Sequence, residues 1–115
     1  MSNRVLEATV RNQGELVMVD LMGEISAAAE EALNKAYEQA MQSNPGTIVI
    51  NFSGVDYINS TGIALILNLL VKAGRLRRRV FAYGLSDHYR EIFRITRLAD
   101  FIRIYQDEAS VLASV

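Results

Sequence analysis

The segment Thr47–Phe52 reads TIVINF and decides the fold, because it is an unbroken run of apolar and β-branched residues around one Asn. Such a run is typical of a strand that is buried on both faces of a parallel sheet. A polar, turn-rich stretch, Ser53–Ser60, comes next, and the helix predicted over Thr61–Ala73 is apolar almost all round. A buried strand followed by a buried helix indicates an α/β core with right-handed crossovers.

Two segments with alternating apolar residues precede this central strand. Val5–Val10 places Leu6, Ala8 and Val10 on one face, and Leu16–Met22 does the same for Val17, Val19 and Leu21. The turn signal Asn12-Gln13-Gly14 lies between them, so we predict an antiparallel hairpin.

A helix is predicted between the hairpin and the central strand. Gly23 is expected to break the second strand, and Ser26 to cap the helix, with Glu30 and Glu31 suiting its dipole. One apolar stripe recurs at spacings of three and four before Asn44-Pro45-Gly46 ends the helix; it comprises Leu33, Ala36, Tyr37, Ala40 and Met41.

The remaining chain continues the alternation of strand and helix. Gly74 is expected to stop the second helix. Val80–Leu85 is the next strand, Ser86 caps a third helix, Phe101–Tyr105 is a short last strand and Asp107–Ala113 a final helix. The chain is therefore predicted to be one α/β domain over residues 1–115. We expect a mixed, mostly parallel sheet of four to five strands, flanked by about four helices.

Composition excludes several classes of function. The chain has 115 residues, a net charge of −1, no cysteine and a single histidine. Without cysteine there is no disulfide or thiolate chemistry, and the near-zero charge gives no strong field toward DNA. The start at Met1–Arg4 does not resemble a signal peptide, and no apolar run reaches membrane-spanning length. We expect a soluble, cytoplasmic protein.

The informative polar segment is Asp56–Ile63, where the buried strand passes into the buried helix. Asn59 or Ser60 is expected to cap the helix, which leaves backbone N–H groups of Thr61 and Gly62 free to face an anion. A phosphoryl group on Thr61 or Ser60 would add about −1.5 to −2 charges there. These residue types equally suit a plain capping role, so both interpretations stay open.

Catalysis and bound metal have little support in the sequence. His88 is the only histidine and lies in the first turn of a predicted helix. No phosphate-binding loop, dinucleotide fingerprint or Ser-His-Asp set occurs. We therefore expect no enzyme activity, no cofactor and no metal site.

Four stretches in order resemble the STAS domain family, which occurs in anti-sigma factor antagonists and in the cytoplasmic tails of sulfate transporters. The stretch Asn51–Gly62 resembles its signature loop and Leu21–Ile25 its L-x-G-E-[IL] strand end. Tyr83–Ser86 resembles its G-L-S turn, and Arg90–Leu98 with Phe101–Tyr105 its C-terminal helix and strand. The resemblance covers essentially the whole chain.

The resemblance implies a switch that binds a protein partner. In that family, the residue directly before the Gly is phosphorylated by an anti-sigma factor that is itself a serine kinase; here it is Thr61, with Ser60 as the alternative. The unphosphorylated form binds the anti-sigma factor and frees the sigma factor, and a phosphatase resets the switch. The rim around the phosphosite is expected to comprise Ser26, Asp56, Asn59, Ser60, Gly62, Ile63 and Ile66.

Two positions depart from the family's pattern. Asn59 and Ser26 stand where the family often has acidic residues, which removes like charge near a phosphoryl group and puts the cognate kinase in doubt. We expect a monomer or weak homodimer, without nucleic acid and without membrane insertion.

Other interpretations remain. The chain could be an unphosphorylated STAS scaffold in a signalling assembly, or a nucleotide-binding protein that uses the anion-friendly helix start. The run Arg75–Arg79 is either a solvated loop or a contact for an acidic partner face or anionic lipid.

Overall fold

The computed structural model describes residues 5–115; the expectation about Met1–Arg4 lies outside these residues. They form β1 (Glu7–Gln13), β2 (Leu16–Ile25), α1 (Glu30–Met41), β3 (Thr47–Ile58), α2 (Ser60–Arg75), β4 (Arg79–Tyr83), α3 (Asp87–Ile95), β5 (Arg103–Tyr105) and α4 (Glu108–Ala113). Short 3₁₀ turns precede α1 at Ala27–Ala29 and β5 at Leu98–Asp100.

The five strands form one sheet in the order β1-β2-β3-β4-β5. β1 pairs antiparallel with β2, and every other neighbouring pair is parallel. The predicted hairpin, central strand and mixed, mostly parallel sheet are therefore confirmed. Gly14 supplies the hairpin turn with a φ of 66°, a left-handed conformation that glycine adopts without strain.

The two faces of the sheet bury different clusters. One cluster combines the inward residues of the strands with apolar residues of the three longer helices, among them Leu33 of α1, Ile66 and Leu70 of α2, and Phe93 of α3. On the other face, Val111 of α4 covers Met18, Val49, Phe81 and Tyr83. Since α4 has only 6 residues, it covers only part of that face.

The structure corrects two predicted breaks in the strands. Gly23 does not end β2, which continues to Ile25. Glycine is required at this position because its φ is 115° and because a Cβ atom would lie 2.7 Å from the carbonyl oxygen of Val5. Most of the predicted connection Ser53–Ser60 belongs to β3, which runs to Ile58 and stays paired with β2 across two irregularities in the register. Tertiary pairing overrides the turn-forming composition.

The helix ends also differ from the prediction. Ser26 stands at the start of the 3₁₀ turn, and its side chain makes no capping hydrogen bond. α2 continues through Gly74 to Arg75, and its left-handed stop is Arg77, with a φ of 59°. The N–H groups of Arg77 and Arg78 donate to the carbonyl oxygens of Gly74 and Ala73 at 3.0 and 2.9 Å. This is a Schellman motif whose left-handed residue is usually Gly.

The predicted cap Ser86 is confirmed, whereas Asp107, predicted as the first residue of the last helix, is instead the cap of α4. The Ser86 hydroxyl accepts a hydrogen bond from the N–H of Tyr89 at 3.3 Å, and the Asp107 carboxylate accepts one from the N–H of Ser110 at 2.9 Å. Within residues 5–115, no helix combines the length and the apolar character needed to cross a bilayer.

Candidate functional site

The first turn of α2 is capped by Asn59. Its side-chain oxygen accepts a hydrogen bond from the N–H of Gly62 at 2.8 Å, and its carbonyl oxygen accepts one from the N–H of Ile63 at 2.9 Å. The choice of cap, left open between Asn59 and Ser60, therefore falls on Asn59. The expectation that the N–H of Gly62 is free to face an anion is therefore wrong, because Asn59 accepts it. The N–H groups of Ser60 and Thr61 have no partner inside the helix, because the first turn of any α-helix lacks acceptors for them.

The hydroxyls of Ser60 and Thr61 lie at the exposed tip of α2. Both residues are exposed, and neither hydroxyl makes a hydrogen bond within the described part of the chain. No acidic residue occupies the first turn of α2. The tip therefore offers reachable oxygens beside the positive end of a helix dipole, which favours added negative charge.

The tip is held against the end of β2. The N–H of Asn59 donates to the carbonyl oxygen of Ile25 at 3.2 Å. A Cβ at position 62 would lie only 2.0 Å from that same oxygen, so this approach requires Gly62. Ser26, which follows Ile25 directly and is half-buried, is thereby brought close to the start of α2.

A second anchor joins the tip to α3. The hydroxyl of Tyr89 accepts a hydrogen bond from the N–H of Ile58 at 2.9 Å, one residue before the cap. The sequence prediction assigned no role to the hydroxyl of Tyr89 or to the carbonyl oxygen of Ile25. The only signal in the sequence for the contact with Ile25 is the glycine at position 62.

The structure places the remaining predicted rim residues in different surroundings. Asp56 is exposed near the end of β3, and Ile63 is half-buried against the core. Ile66 is 2% exposed inside the core, so the expectation that it is available at the rim is wrong. Ile66 lies on the face of α2 that packs into the core against the sheet. Tyr57, which was not predicted, is 49% exposed beside Asp56.

A polar network joins the first three strands on the face opposite the three longer helices. The Asp20 carboxylate accepts hydrogen bonds from Arg11 at 2.6 and 3.0 Å and from the side-chain amide of Asn51 at 2.9 Å. The Asn51 oxygen accepts from the N–H and hydroxyl of Ser53 at 2.9 and 2.6 Å. This network fixes β3 at the point where its register with β2 first shifts.

The pKa of Asp20 reflects this network. Partial burial raises the pKa, but the hydrogen bonds from Arg11 and Asn51 together outweigh burial, so the pKa lies below its ordinary value. Farther along the same face, burial and a hydrogen bond to Glu108 raise the pKa of Tyr83 to about 12. We therefore interpret this network as structural. The exposed hydroxyls of Ser60 and Thr61 at the α2 tip remain the candidate reactive groups.

The fold and the tip together define a class of protein. It is a small α/β domain in which the central strand is followed by a capped helix with exposed hydroxyls in its first turn. A family model described as the STAS domain matches residues 7–111, and the chain belongs to that family.

Relatives and solved structures agree with this assignment. An anti-sigma-B factor antagonist of Staphylococcus aureus is 24% identical over 99 residues, which cover 86% of this chain and 92% of the relative. The crystal structure of an anti-sigma factor antagonist from Mycobacterium paratuberculosis superposes with a TM-score of 0.81 at 21% identity, covering 96% of this chain and 93% of that one. The phosphorylated form of the Bacillus cell fate determinant SpoIIAA superposes with a TM-score of 0.70 at 21% identity, covering 94% and 99%.

Proposed function

We propose that this protein is an anti-sigma factor antagonist that is switched by phosphorylation of Thr61. The unphosphorylated form binds an anti-sigma factor that is itself a serine/threonine kinase, and so releases a sigma factor. The observation that carries the proposal is the exposed Thr61 hydroxyl, which has no hydrogen-bond partner within residues 5–115 and lies at a rigidly capped helix tip.

The tip suits a phosphate that changes binding without unfolding the domain. A phosphoryl group would bring about −1.5 to −2 charges to the start of α2. The helix dipole and the free N–H groups of the first turn would stabilise that charge. A partner docked over the same tip would have to desolvate it, at a cost of several kcal/mol for an unpaired charge. The charge therefore blocks docking while the fold is retained.

The proposed binding surface surrounds Thr61. It comprises Ser26, Asp56, Asn59, Ser60 and Ile63, and we add Tyr57 because an exposed aromatic side chain at a rim is typical of protein interfaces. Gly62, which was expected at this rim, is buried against β2 and its N–H is bonded to Asn59, so it positions Thr61 without contacting a partner. Because Asn59 and Ser26 are neutral, little like charge opposes the phosphate. The same two residues make this tip different from the acidic tips that are frequent in the family, and we propose that the cognate kinase recognises this difference.

The names of the relatives support the partner class. The Staphylococcus aureus relative is an anti-sigma-B factor antagonist, and SpoIIAA is known in a phosphorylated form. By analogy, the partners proposed here are an anti-sigma kinase and a phosphatase that resets Thr61. The chain acts by binding and not by catalysis. Because the kinase draws phosphate from ATP, the proposed circuit operates in the cytoplasm.

Phosphosite mapping tests the proposal. The protein is incubated with its anti-sigma kinase and ATP, and the phosphate is located by mass spectrometry in the wild type, Thr61→Ala and Ser60→Ala. We expect one phosphate on Thr61, its loss in Thr61→Ala and its retention in Ser60→Ala. Phosphate that persists in Thr61→Ala would contradict the assignment of Thr61. A large assembly that the kinase leaves unchanged would instead support the scaffold alternative.

A further inference from the structure

The end of the molecule opposite Thr61 carries four arginines. α2 spans 16 residues, about 24 Å, so its last residue, Arg75, lies far from the tip. Arg77 follows in the connection to β4, Arg79 begins β4, and Arg103 begins the neighbouring β5. A groove lined by Arg79, Phe101 and Arg103, among others, joins the two strand starts. We call this surface the arginine end and define it by Arg75, Arg77, Arg79 and Arg103.

Among the described residues, no ion pair neutralises the arginine end, although Arg79 lies over the ring of Phe81, 5.7 Å from its centre. Within residues 5–115, none of its four arginines forms an ion pair with a carboxylate, whereas Arg11, Arg94 and Arg97 pair with Asp20, Glu91 and Asp100. The neighbouring Arg78 is occupied differently, since it donates to the carbonyl oxygen of Pro45 at 3.0 Å. Glu15 and the C-terminal residue Val115 line a pocket together with Arg79, and Asp100 lies in the groove of Arg79 and Arg103. The arginines outnumber these acidic groups, so the excess charge suits an anionic surface although the whole chain has a net charge of −1.

Exposed apolar side chains lie among these charges. Leu76 is 55% exposed between Arg75 and Arg77, and Phe101 is 52% exposed two residues before Arg103. Cationic side chains with interspersed Leu and Phe are typical of surfaces that bind the interface of an anionic bilayer. Leu76 and Phe101 are separated along the chain. Fluid acyl chains can accommodate such separate side chains, whereas a protein interface needs a closely packed apolar centre.

One residue of the arginine end has an unfavourable backbone conformation. Arg77 adopts a φ of 59° at the stop of α2. Glycine occupies such left-handed stops without strain, and an L side chain does not. Unfavourable backbone conformations that persist are concentrated at functional surfaces.

We propose that the arginine end binds the surface of a membrane containing anionic phospholipid, without inserting a helix. The arginines contact lipid phosphates, and Leu76 and Phe101 enter the boundary between headgroups and acyl chains. Because Thr61 lies at the opposite end of α2, the bound protein presents its switch away from the bilayer. This inference does not depend on phosphorylation of Thr61.

Vesicle co-sedimentation tests the proposal. The full chain is mixed with phosphatidylcholine vesicles that contain about 30 mole per cent phosphatidylglycerol, or none, at low and high salt. We expect at least about tenfold tighter binding to the anionic vesicles, with the difference lost at high salt, where surface charges are screened.

Two matched variants locate the surface. Arg75→Gln is expected to weaken binding about fivefold, whereas Arg90→Gln, an exposed arginine on α3 outside the arginine end, leaves it unchanged. Arg77→Gly is expected to weaken binding by the same factor while raising the melting temperature by about 4 °C, because glycine relieves the left-handed residue. A gain in stability combined with a loss of binding excludes misfolding as the cause.

Three results would overturn the proposal. The first is equal binding to neutral and anionic vesicles, or none to either. The second is unchanged affinity in both Arg75→Gln and Arg77→Gly. The third is binding to polyglutamate as tight as to anionic vesicles, together with unchanged vesicle affinity in the double variant Leu76→Ser, Phe101→Ser; that outcome assigns the surface to an acidic protein segment.

Discussion

Gly62 and Ile25 are in such close contact that a Cβ atom at position 62 would lie 2.0 Å from the carbonyl oxygen of Ile25. This approach places the first turn of α2 directly on the end of β2. The same carbonyl accepts the N–H of Asn59 at 3.2 Å, so the strand end and the helix cap form one unit. The position of Thr61 therefore depends on a backbone contact and not on the Thr61 side chain.

Gly62→Ala is expected to destabilise the domain by about 3 kcal/mol, because the added methyl meets backbone that has no room to move. Gly74→Ala in the same helix is the control. A Cβ there meets nothing within 4 Å, and alanine is the better helix former, so stability should rise by up to about 1 kcal/mol. Urea unfolding measures both. Equal effects of the two substitutions would contradict the contact.

Asn59→Ala is expected to cost about 1 kcal/mol, because the N–H of Gly62 loses its acceptor. Asn59→Asp keeps an oxygen acceptor and should retain wild-type stability in thermal denaturation. The added carboxylate would nevertheless repel a phosphoryl group on Thr61, and we expect slower phosphorylation in a timed kinase assay. Loss of stability in both variants would show that Asn59 does more than cap.

Tyr89→Phe tests the link between α3 and the end of β3. Removal of the hydroxyl leaves the N–H of Ile58 without its acceptor, which should cost about 1–2 kcal/mol in chemical denaturation. Tyr57→Phe removes a hydroxyl from an exposed residue and should change stability by less than about 0.5 kcal/mol. An unchanged free energy of unfolding in Tyr89→Phe would refute the anchoring role.

The Asp20 network predicts a pH dependence of stability. Because the folded state lowers the pKa of Asp20, this carboxylate stabilises the fold above its ordinary pKa, and the contribution is lost as the pH falls through the folded value. At pH 7, Asp20→Asn should lower the free energy of unfolding by about 1 kcal/mol. The gap to the wild type should close in acid.

Asp100→Asn is the control for the Asp20 prediction. Its carboxylate pairs with Arg97 on the surface, where ion pairs contribute little, so the change should be below about 0.5 kcal/mol at any pH. A gap for Asp20→Asn that persists unchanged into acid would mean that the charge of Asp20 is not what stabilises the network.

Local pattern was sufficient for much of the fold. The apolar run Thr47–Phe52 identified the central strand, and the alternation on both sides of Gly14 identified the hairpin. The polar segment before α2 identified the candidate site, because residues that cap helices are chemically distinct from those of a buried strand.

The remaining features depend on contacts between distant segments. Ser53–Ile58 has the composition of a turn, yet pairing with β2 keeps it extended. α2 runs past Gly74 and its left-handed residue is Arg77, next to Arg78, which donates to the carbonyl oxygen of Pro45 in the distant connection before β3. In a helix that is apolar nearly all round, periodicity does not distinguish the buried Ile66 from the half-buried Ile63.

The central claim is that phosphate on Thr61 blocks docking. The most direct measurement is isothermal titration of the anti-sigma kinase with the protein in its unphosphorylated form and in a form phosphorylated on Thr61, together with circular dichroism of both. We predict at least about a hundredfold weaker binding of the phosphorylated form with an unchanged spectrum, since an unpaired charge at an interface costs several kcal/mol. Equal affinity of the two forms would contradict the account.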